Sequence, residues 1–350
     1  MSKNILPFPP LQVRMMTPAD AAKWDAFVFA CPEATFFHRA GWNEVLQRAF
    51  GHRTYFLLAE ENGAIQGVLP LAEIDSLMFG HSLSSLPFCV YGGILASTDA
   101  ARLALDQAAQ ALARNLDVDF LEYRNLAPFH SEWPSKDLYF TFRKTIDPDL
   151  EANLRAIPYK RRGMIRKGIR NGLTSEIDID TERFFPVFAS NVHRHGTPAL
   201  PKRYFVLLKE IFGSDCEVLS VVKEGRVLSS ELSFYFRDEI LVYYAGDTKI
   251  ARDLAANDFK YWELMRRACE RGIKVFDYGR SKRGTGSFDF KRNWGFEPQP
   301  LHYEYQLYRA KEVPNTNPLN PKYKLLIQLW QKMPLPVANW LGPHIVKNLG

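Results

Sequence analysis

The stretch "FDYGRSKRGTGSFDFKRNWGF", Phe276 to Phe296, sets Arg280, Lys282, Arg283, Lys291 and Arg292 among four glycines and interleaved aromatics. Cations beside a glycine-rich turn suit a bound anion, because glycine lets backbone amides approach a phosphate or acyl oxygen closely. Gly284, Thr285 and Gly286 supply such a turn, although a plain turn has the same composition. The aromatics fit packing or stacking on a ligand. A second basic cluster, "KRRGMIRKGIR", holds Lys160, Arg161, Arg162, Arg166, Lys167 and Arg170 with no acid. These six cations equal the whole net charge of +6, so the rest of the chain is near neutral and one segment addresses an anionic partner. Arg162, Arg166 and Arg170 share a helical face, where like charges at this spacing destabilise a helix by roughly 0.2–0.5 kcal/mol per pair. Such a face suits either solvent or an anion. His193 and His195 lack a third ligand nearby, and Cys31, Cys89, Cys216 and Cys269 match no metal spacing. We expect no metal and no permanently bound cofactor.

The elements that must position these residues occur twice. "RTYFLLAEENGAIQGVLPLAEID" reads as strand, turn at Asn62-Gly63, strand; "CEVLSVVKEGRVLSSELSFYFRD" repeats this with its turn at Glu224-Gly225. Each is followed by an apolar strand, "LPFCVYGGIL" or "ILVYYAGDTKI", then a helix, then "VDFLEYR" or "IKVFDYGR". Glu122-Tyr123 thus aligns with Asp277-Tyr278, as expected for a repeat with loop-length drift. Between the halves, Asp147 and Pro148 suggest a helix N-cap and first position, and Gly172 a left-handed helix end. We expect α/β architecture with a first domain over 10–145, a basic helical linker over 146–172, a second domain over 173–310 and a basic amphipathic tail over 311–350. The chain of 350 residues, 46% hydrophobic and 24% charged, is ample for two cores. No apolar run spans a bilayer and no export signal is evident, so reduced thiols and a cytoplasmic location are expected.

With "FFHRAGWNEVL", "IPYKRRGMIRKGIRNG", "TPALPKRYFVLL" and "ARDLAANDFKYWELMRRACERG", the opening stretch resembles the FemAB-like aminoacyl/acyl transferases, in particular the branch beside exosortase/PEP-CTERM exopolysaccharide systems. The resemblance covers about residues 10–310. It implies two tandem GNAT-like domains, each a mixed, mainly antiparallel sheet flanked by helices. It implies N-acyl transfer from aminoacyl-tRNA or acyl-coenzyme A to an amine of a cell-envelope, peptidoglycan-type or exopolysaccharide precursor, an anionic glycan or a lipid-linked molecule. Acetylation of an amino sugar, or anionic-polymer binding without catalysis, are the alternatives. Lys291 matches the lysine of the family's F-K-x-x-(F/W)-G element and is implied to face the developing oxyanion. Asp289, Asp277 and Glu231 are the carboxylates nearest in motif context for base work. Asp289 would share a face with Lys291 if both lie in a strand. Tyr278 joins Lys291 and Asp289 as a catalytic candidate. Asp277, Arg280, Ser281, Lys282, Gly284, Thr285, Gly286, Tyr244, Glu231 and Trp42 are expected at the substrate, and the six cations of 160–170 at an anion.

Three departures qualify this. The region equivalent to the glycine-rich pyrophosphate loop, "DTKIARDLAANDF", has no glycine, which weakens an amide-cradled coenzyme A. The segment after Trp42 offers Arg48 where the family often has lysine, and no coiled-coil arm is visible. In the tail, Leu325, Leu326, Leu329, Trp330 and Met333 fall on one helical face near Lys322, Lys324 and Lys332, with no acid after Glu312. Such a helix either docks on its own protein or makes peripheral membrane contact.

Overall fold

The computed structural model describes residues 11–76, 79–313 and 321–349. The described residues divide into two units, 11–136 with 302–313, and 137–301 with 321–349. The first begins with β1 (Gln12–Met15), α1 (Ala21–Ala30), α2 (Gly41–Phe50), β2 (Thr54–Glu61), β3 (Ala64–Ser76), β4 (Gly80–Ser84), β5 (Leu95–Ala96), α3 (Asp99–Asn115), β6 (Phe120–Asn125) and β7 (Ser135–Lys136). The second contains β8 (Tyr139–Thr141), β9 (Arg143–Thr145), α4 (Leu150–Ala156), α5 (Tyr159–Arg170), β10 (Thr174–Asp178), α6 (Phe184–Arg194), α7 (Lys202–Phe212), β11 (Cys216–Lys223), β12 (Arg226–Phe236), β13 (Glu239–Asp247), α8 (Ala256–Glu270), β14 (Val275–Asp277), β15 (Ser281–Lys282), α9 (Gly286–Asn293) and β16 (Gln299–Pro300). β17 (His302–Leu307) then returns to the first unit, and α10 (Pro321–Lys332) and α11 (Leu335–Val346) belong to the second.

The duplication is visible in the sheets. One runs β1-β2-β3-β4-β6-β17-β7 and the other β10-β11-β12-β13-β14-β9. In both, three antiparallel pairs lead to one parallel pair, β4 with β6 and β13 with β14, and then to an antiparallel partner, β17 or β9; the first sheet adds β7 beyond β17. Both hairpin turns place two successive residues at positive φ: Asn62 and Gly63 at 55° and 77°, Glu224 and Gly225 at 49° and 74°. That geometry matches the right-handed twist of the strands it joins. The parallel pairs end at the aligned carboxylates, Ser84 opposite Glu122 and Leu241 opposite Asp277. This is the mixed, mainly antiparallel α/β architecture expected from the sequence.

The boundaries differ from those expected. The strand after β14's half of the chain, β17, pairs with β6, while β9, from before that half, pairs with β14. Each repeat therefore closes its sheet with a strand lying outside its own run of sequence, which linear pattern-reading does not register. The stretch "LPFCVYGGIL" is mostly loop. The strand that follows the β2–β3 hairpin is β4, and Leu86 and Phe88 take left-handed φ of 66° and 67°. Arg124 donates to the Leu86 and Cys89 carbonyls and fixes that loop. The helix expected from Asp147 starts later, with Asp149 as N-cap accepting from Glu151 N. Asp147 instead accepts from Asp149 N, forming a turn ahead of the helix. α5 ends as expected: Gly172 is left-handed at 71°, and Gly172 N and Leu173 N close onto the Ile169 and Gly168 carbonyls. Its packing on α8 needs Gly168, where a Cβ would stand 2.8 Å from that of Phe259.

Candidate active site

β13 pairs with β14 over only three residues, Glu239–Leu241 opposite Val275–Asp277. The strands then part. Tyr278 N donates to Phe142 O, away from β13, while β13 continues for six residues to Asp247, paired with β12 alone. An extra residue, Tyr243, is accommodated where the β12 register shifts between Leu232 and Ser233, and such a bulge bends the strand. The result is a strand edge that, among the described residues, no other strand covers. The first unit lacks it, because β4 stops at Ser84 opposite Glu122.

Lys291 stands beside this divergence, and its environment follows from α9. The pairing of Asp289 with Lys291 on one face presupposed a strand here. The segment is a helix, N-capped by Thr285, whose Oγ1 accepts from Phe288 N. Gly295 ends it at φ 80°, with Gly295 N on Arg292 O and Phe296 N on Lys291 O. That is a Schellman closure, and it accounts for the glycine of the F-K-x-x-W-G element. Phe288 and Lys291, three apart, turn inward. Asp289 turns outward into a surface pocket with Arg292, Asn293, Phe296 and Glu297. The expected Asp289–Lys291 pairing on one face is thus corrected: two residues apart on a helix is roughly 200° of rotation.

The Lys291 ammonium is buried and donates to the Gly279 carbonyl at 2.9 Å and the Arg280 carbonyl at 3.2 Å. It also lies 5.5 Å from the centre of the Phe142 ring. An ammonium has three N–H donors, so one remains for a ligand. Burial lowers its pKa from 10.5 to about 8, against the opposing pull of Asp277 and Glu231. If the charged form does the work, activity will decline as pH rises through about 8. The folded state holds this proton less tightly than the unfolded chain, so the same titration makes the fold more stable between pH 8 and 10.5. A pH–rate profile with parallel melting curves separates loss of activity from unfolding.

Asp277 is fully buried and committed: it accepts from Thr141 Oγ1 at 3.0 Å and Gly279 N at 2.6 Å, with Arg143 Nε 3.5 Å away. It shapes the turn whose carbonyls hold Lys291. Glu231 is buried on the face of β12 toward α8, 2.9 Å from Lys260 Nζ, which also lies 3.7 Å from Asp247. Burial raises the Glu231 pKa although Lys260 opposes it. Among the described residues the buried Tyr278 hydroxyl has no hydrogen-bond partner, and burial raises its pKa well above the usual phenol value. Asp258 accepts from Trp294 Nε1 at 3.0 Å and Arg161 at 3.2 Å, tying α5, α8 and α9 together.

The structure therefore gathers Lys291, Asp277, Tyr278, Arg280 and Glu231 near the end of the parallel pair. Arg280 and Lys282 lie over the Tyr139 ring and Arg283 over Phe140. Ser281 is buried with its Oγ unsatisfied. Gly284, at φ 77°, Thr285 and Gly286 form the turn into α9. Two candidates are corrected. Trp42 is fully buried, donates to Phe36 O and packs against Phe36 and Phe37, so it is core of the first unit. Tyr244 faces α6 and α7, bonded to the Tyr204 hydroxyl and edge-on to Phe188, on the sheet face opposite Glu231. The basic helix is divided: Arg161 pairs with Asp258 and Arg162 donates to the Arg155 carbonyl, whereas Lys160, Arg166, Lys167 and Arg170 are exposed without acidic partners among the described residues. Lys260 and Asp247 were missed from sequence. The signal was a lysine inside an otherwise apolar helical face. Among the described residues no group of three or more His, Cys, Asp or Glu could hold a metal, and none of the four cysteines is in a disulfide.

Residues 159–292, which contain the parted strands and Lys291, match the model of the acetyltransferase (GNAT) domain. This segment is a GNAT domain. The chain is accordingly an acyltransferase. Its fold is similar to the solved structure of FemX at a TM-score of 0.66 and 15% identity, covering 91% of this chain and 100% of that one. It is also similar to the C-terminal domain (DUF2156) of a putative lysylphosphatidylglycerol synthetase from Agrobacterium fabrum, at 0.56 and 13%, covering 83% and 92%. A tandem GNAT protein from the clavulanic acid biosynthesis pathway matches at 0.55 and 12%, covering 87% and 100%. At these identities the likeness is one of fold, and it extends the GNAT-like architecture to both units. No curated protein matches the chain.

Proposed function

We propose that the GNAT domain transfers an aminoacyl or acyl group to an amine of a cell-envelope precursor, with the donor lying along the open edge of β13. The observation that carries this is the spare N–H of a buried ammonium, Lys291, beside the point where β13 and β14 part after Leu241 and Asp277. As the amine attacks the acyl carbonyl, the carbonyl oxygen gains negative charge, and a preorganised donor lowers that barrier by a few kcal/mol. The attacking nitrogen must then lose a proton, and collapse of the tetrahedral intermediate breaks the bond to the donor's ester oxygen or thioester sulfur, which departs and takes up a proton. Asp289 is exposed and Asp277 is occupied, which leaves Glu231, with a pKa raised by burial, as the acceptor directly or through water. The Tyr278 hydroxyl is the further donor free to bind substrate.

The donor's phosphates bear on the loop between β13 and α8. Thr248, Ala251, Leu254, Ala255 and Ala256 already commit their amides to carbonyls of the chain, and Ala255 sits at φ 62° where glycine would be expected. The amide cradle for a pyrophosphate is largely filled. Phosphate binding falls instead to side-chain cations, and α5, packed on α8, exposes Lys160, Arg166, Lys167 and Arg170. This favours aminoacyl-tRNA, whose many phosphates suit a basic face. The GNAT match itself favours the second reading, acyl-coenzyme A with an amino-sugar acceptor. The PEP-CTERM-associated branch rests on the sequence resemblance alone. The test offers charged total tRNA and acetyl-coenzyme A separately, each with a panel of amino sugars and muropeptide amines. Loss of label from tRNA supports the first reading, amine-dependent thiol release the second. Turnover of neither, with tRNA binding that weakens steeply with salt and ignores Lys291→Ala, identifies a polyanion-binding protein instead.

A further inference from the structure

The two C-terminal helices of the second unit have an inner and an outer face. The inner face is engaged: Ile327 packs at Gly196, Trp330 is buried, Gln331 donates to the Arg194 carbonyl, and Gly342 lies against Ala199. The outer face is apolar. Leu325, Leu326, Leu329, Val337 and Trp340 are 65%, 60%, 56%, 43% and 70% exposed. Among the described residues, 325–349 hold six of the fifteen exposed large apolar side chains, a concentration that scattered surface hydrophobics do not produce. Trp330 does not join the outer stripe that the sequence periodicity suggested, and the side chains of Lys322 and Lys324 lie outside the described residues.

Charge decides what covers this face. From Val313 to Gly350 the sequence has Lys322, Lys324, Lys332 and Lys347 and neither Asp nor Glu. A second copy docking through the same patch would set like charges against each other, because a two-fold interface is self-facing. An anionic bilayer matches both properties: lysines attract its surface and leucines enter the acyl boundary. An exposed tryptophan suits the headgroup level. Among the described residues no helix is long and apolar enough to cross a membrane, so the contact is peripheral.

We propose that α10 and α11 dock the protein on an anionic lipid bilayer, outer face down. This goes beyond the transfer reading and does not rest on it. The test is flotation of the full chain with phosphatidylcholine vesicles, with and without phosphatidylglycerol. Each lysine near the surface contributes about fivefold in affinity, so phosphatidylglycerol should strengthen binding by more than about tenfold. Brominated lipid should quench Trp340 fluorescence, and the quench should vanish in Trp340→Phe. The triple variant Leu326→Gln/Leu329→Gln/Trp340→Gln should lose more than about tenfold in affinity while keeping the wild-type melting curve and circular dichroism. The basic face of α5 alone would leave that variant's binding intact, and this outcome overturns the proposal. So does absence of binding to phosphatidylglycerol vesicles, or lipid-free self-association that the triple variant abolishes.

Discussion

Lys260→Met will lower the unfolding free energy by about 3–5 kcal/mol, the usual effect of removing one partner from a buried ion pair. Lys260 is fully buried, and its ammonium stands 2.9 Å from Glu231 and 3.7 Å from Asp247. Methionine fills most of the volume but leaves the Glu231 carboxylate in a dry interior between β12 and α8. The direction with pH follows. Glu231 already has a pKa above its ordinary 4.5, and losing Lys260 raises it further. A carboxyl with a raised folded pKa stabilises the fold below that value and loses the contribution as pH rises. Urea titrations of the variant should therefore show the largest deficit at neutral pH and a smaller one in mild acid. The double variant Lys260→Met/Glu231→Gln should recover part of the loss, with a coupling energy of about 0.5–3 kcal/mol. A single variant as stable as wild type would mean that water reaches the pair.

The first unit treats the position of Asp277 differently. Glu122, which aligns with Asp277, accepts from Arg124, Ser84 and Tyr305, and its pKa falls to about 2 although burial opposes that. There the carboxylate is locked and the neighbouring loop, held by Arg124, occupies the space beyond Ser84. In the second unit β13 runs on and the strands stay apart. The repeat was legible because Asn62-Gly63 and Glu224-Gly225 force hairpins and the aligned strands share an acid-aromatic ending. The exchange of β9 and β17 was not, since pairing between distant segments leaves no local pattern. The Asp289–Lys291 pairing presupposed a strand, whereas the segment is a helix set by the Thr285 cap and the Gly295 closure at its ends. Lys291 was picked out by its motif, but its burial and its two carbonyl partners depend on the Gly279–Arg280 turn, which Asp277 holds from another element. Arg161 was assigned to an anion because Asp258, its partner, lies 97 residues away in sequence.

Lys291→Met will reduce turnover by about two to three orders of magnitude, the scale of losing one donor to an oxyanion. Donor affinity should change little, because the spare N–H matters most once the carbonyl oxygen is charged. Stability is a separate matter: the Gly279 and Arg280 carbonyls lose a partner, at about 1–3 kcal/mol, while the cost of a buried ammonium disappears. The fold should persist with a modest shift in melting temperature. The deciding measurement is the single-turnover rate of acyl transfer to amine, at saturating donor, for wild type and Lys291→Met, using whichever of charged tRNA or acetyl-coenzyme A the wild type consumes. The expected result is a rate about 100- to 1,000-fold lower in the folded variant, with the alkaline decline near pH 8 gone. A folded variant that transfers within about threefold of the wild-type rate would contradict the assignment of Lys291 to the oxyanion.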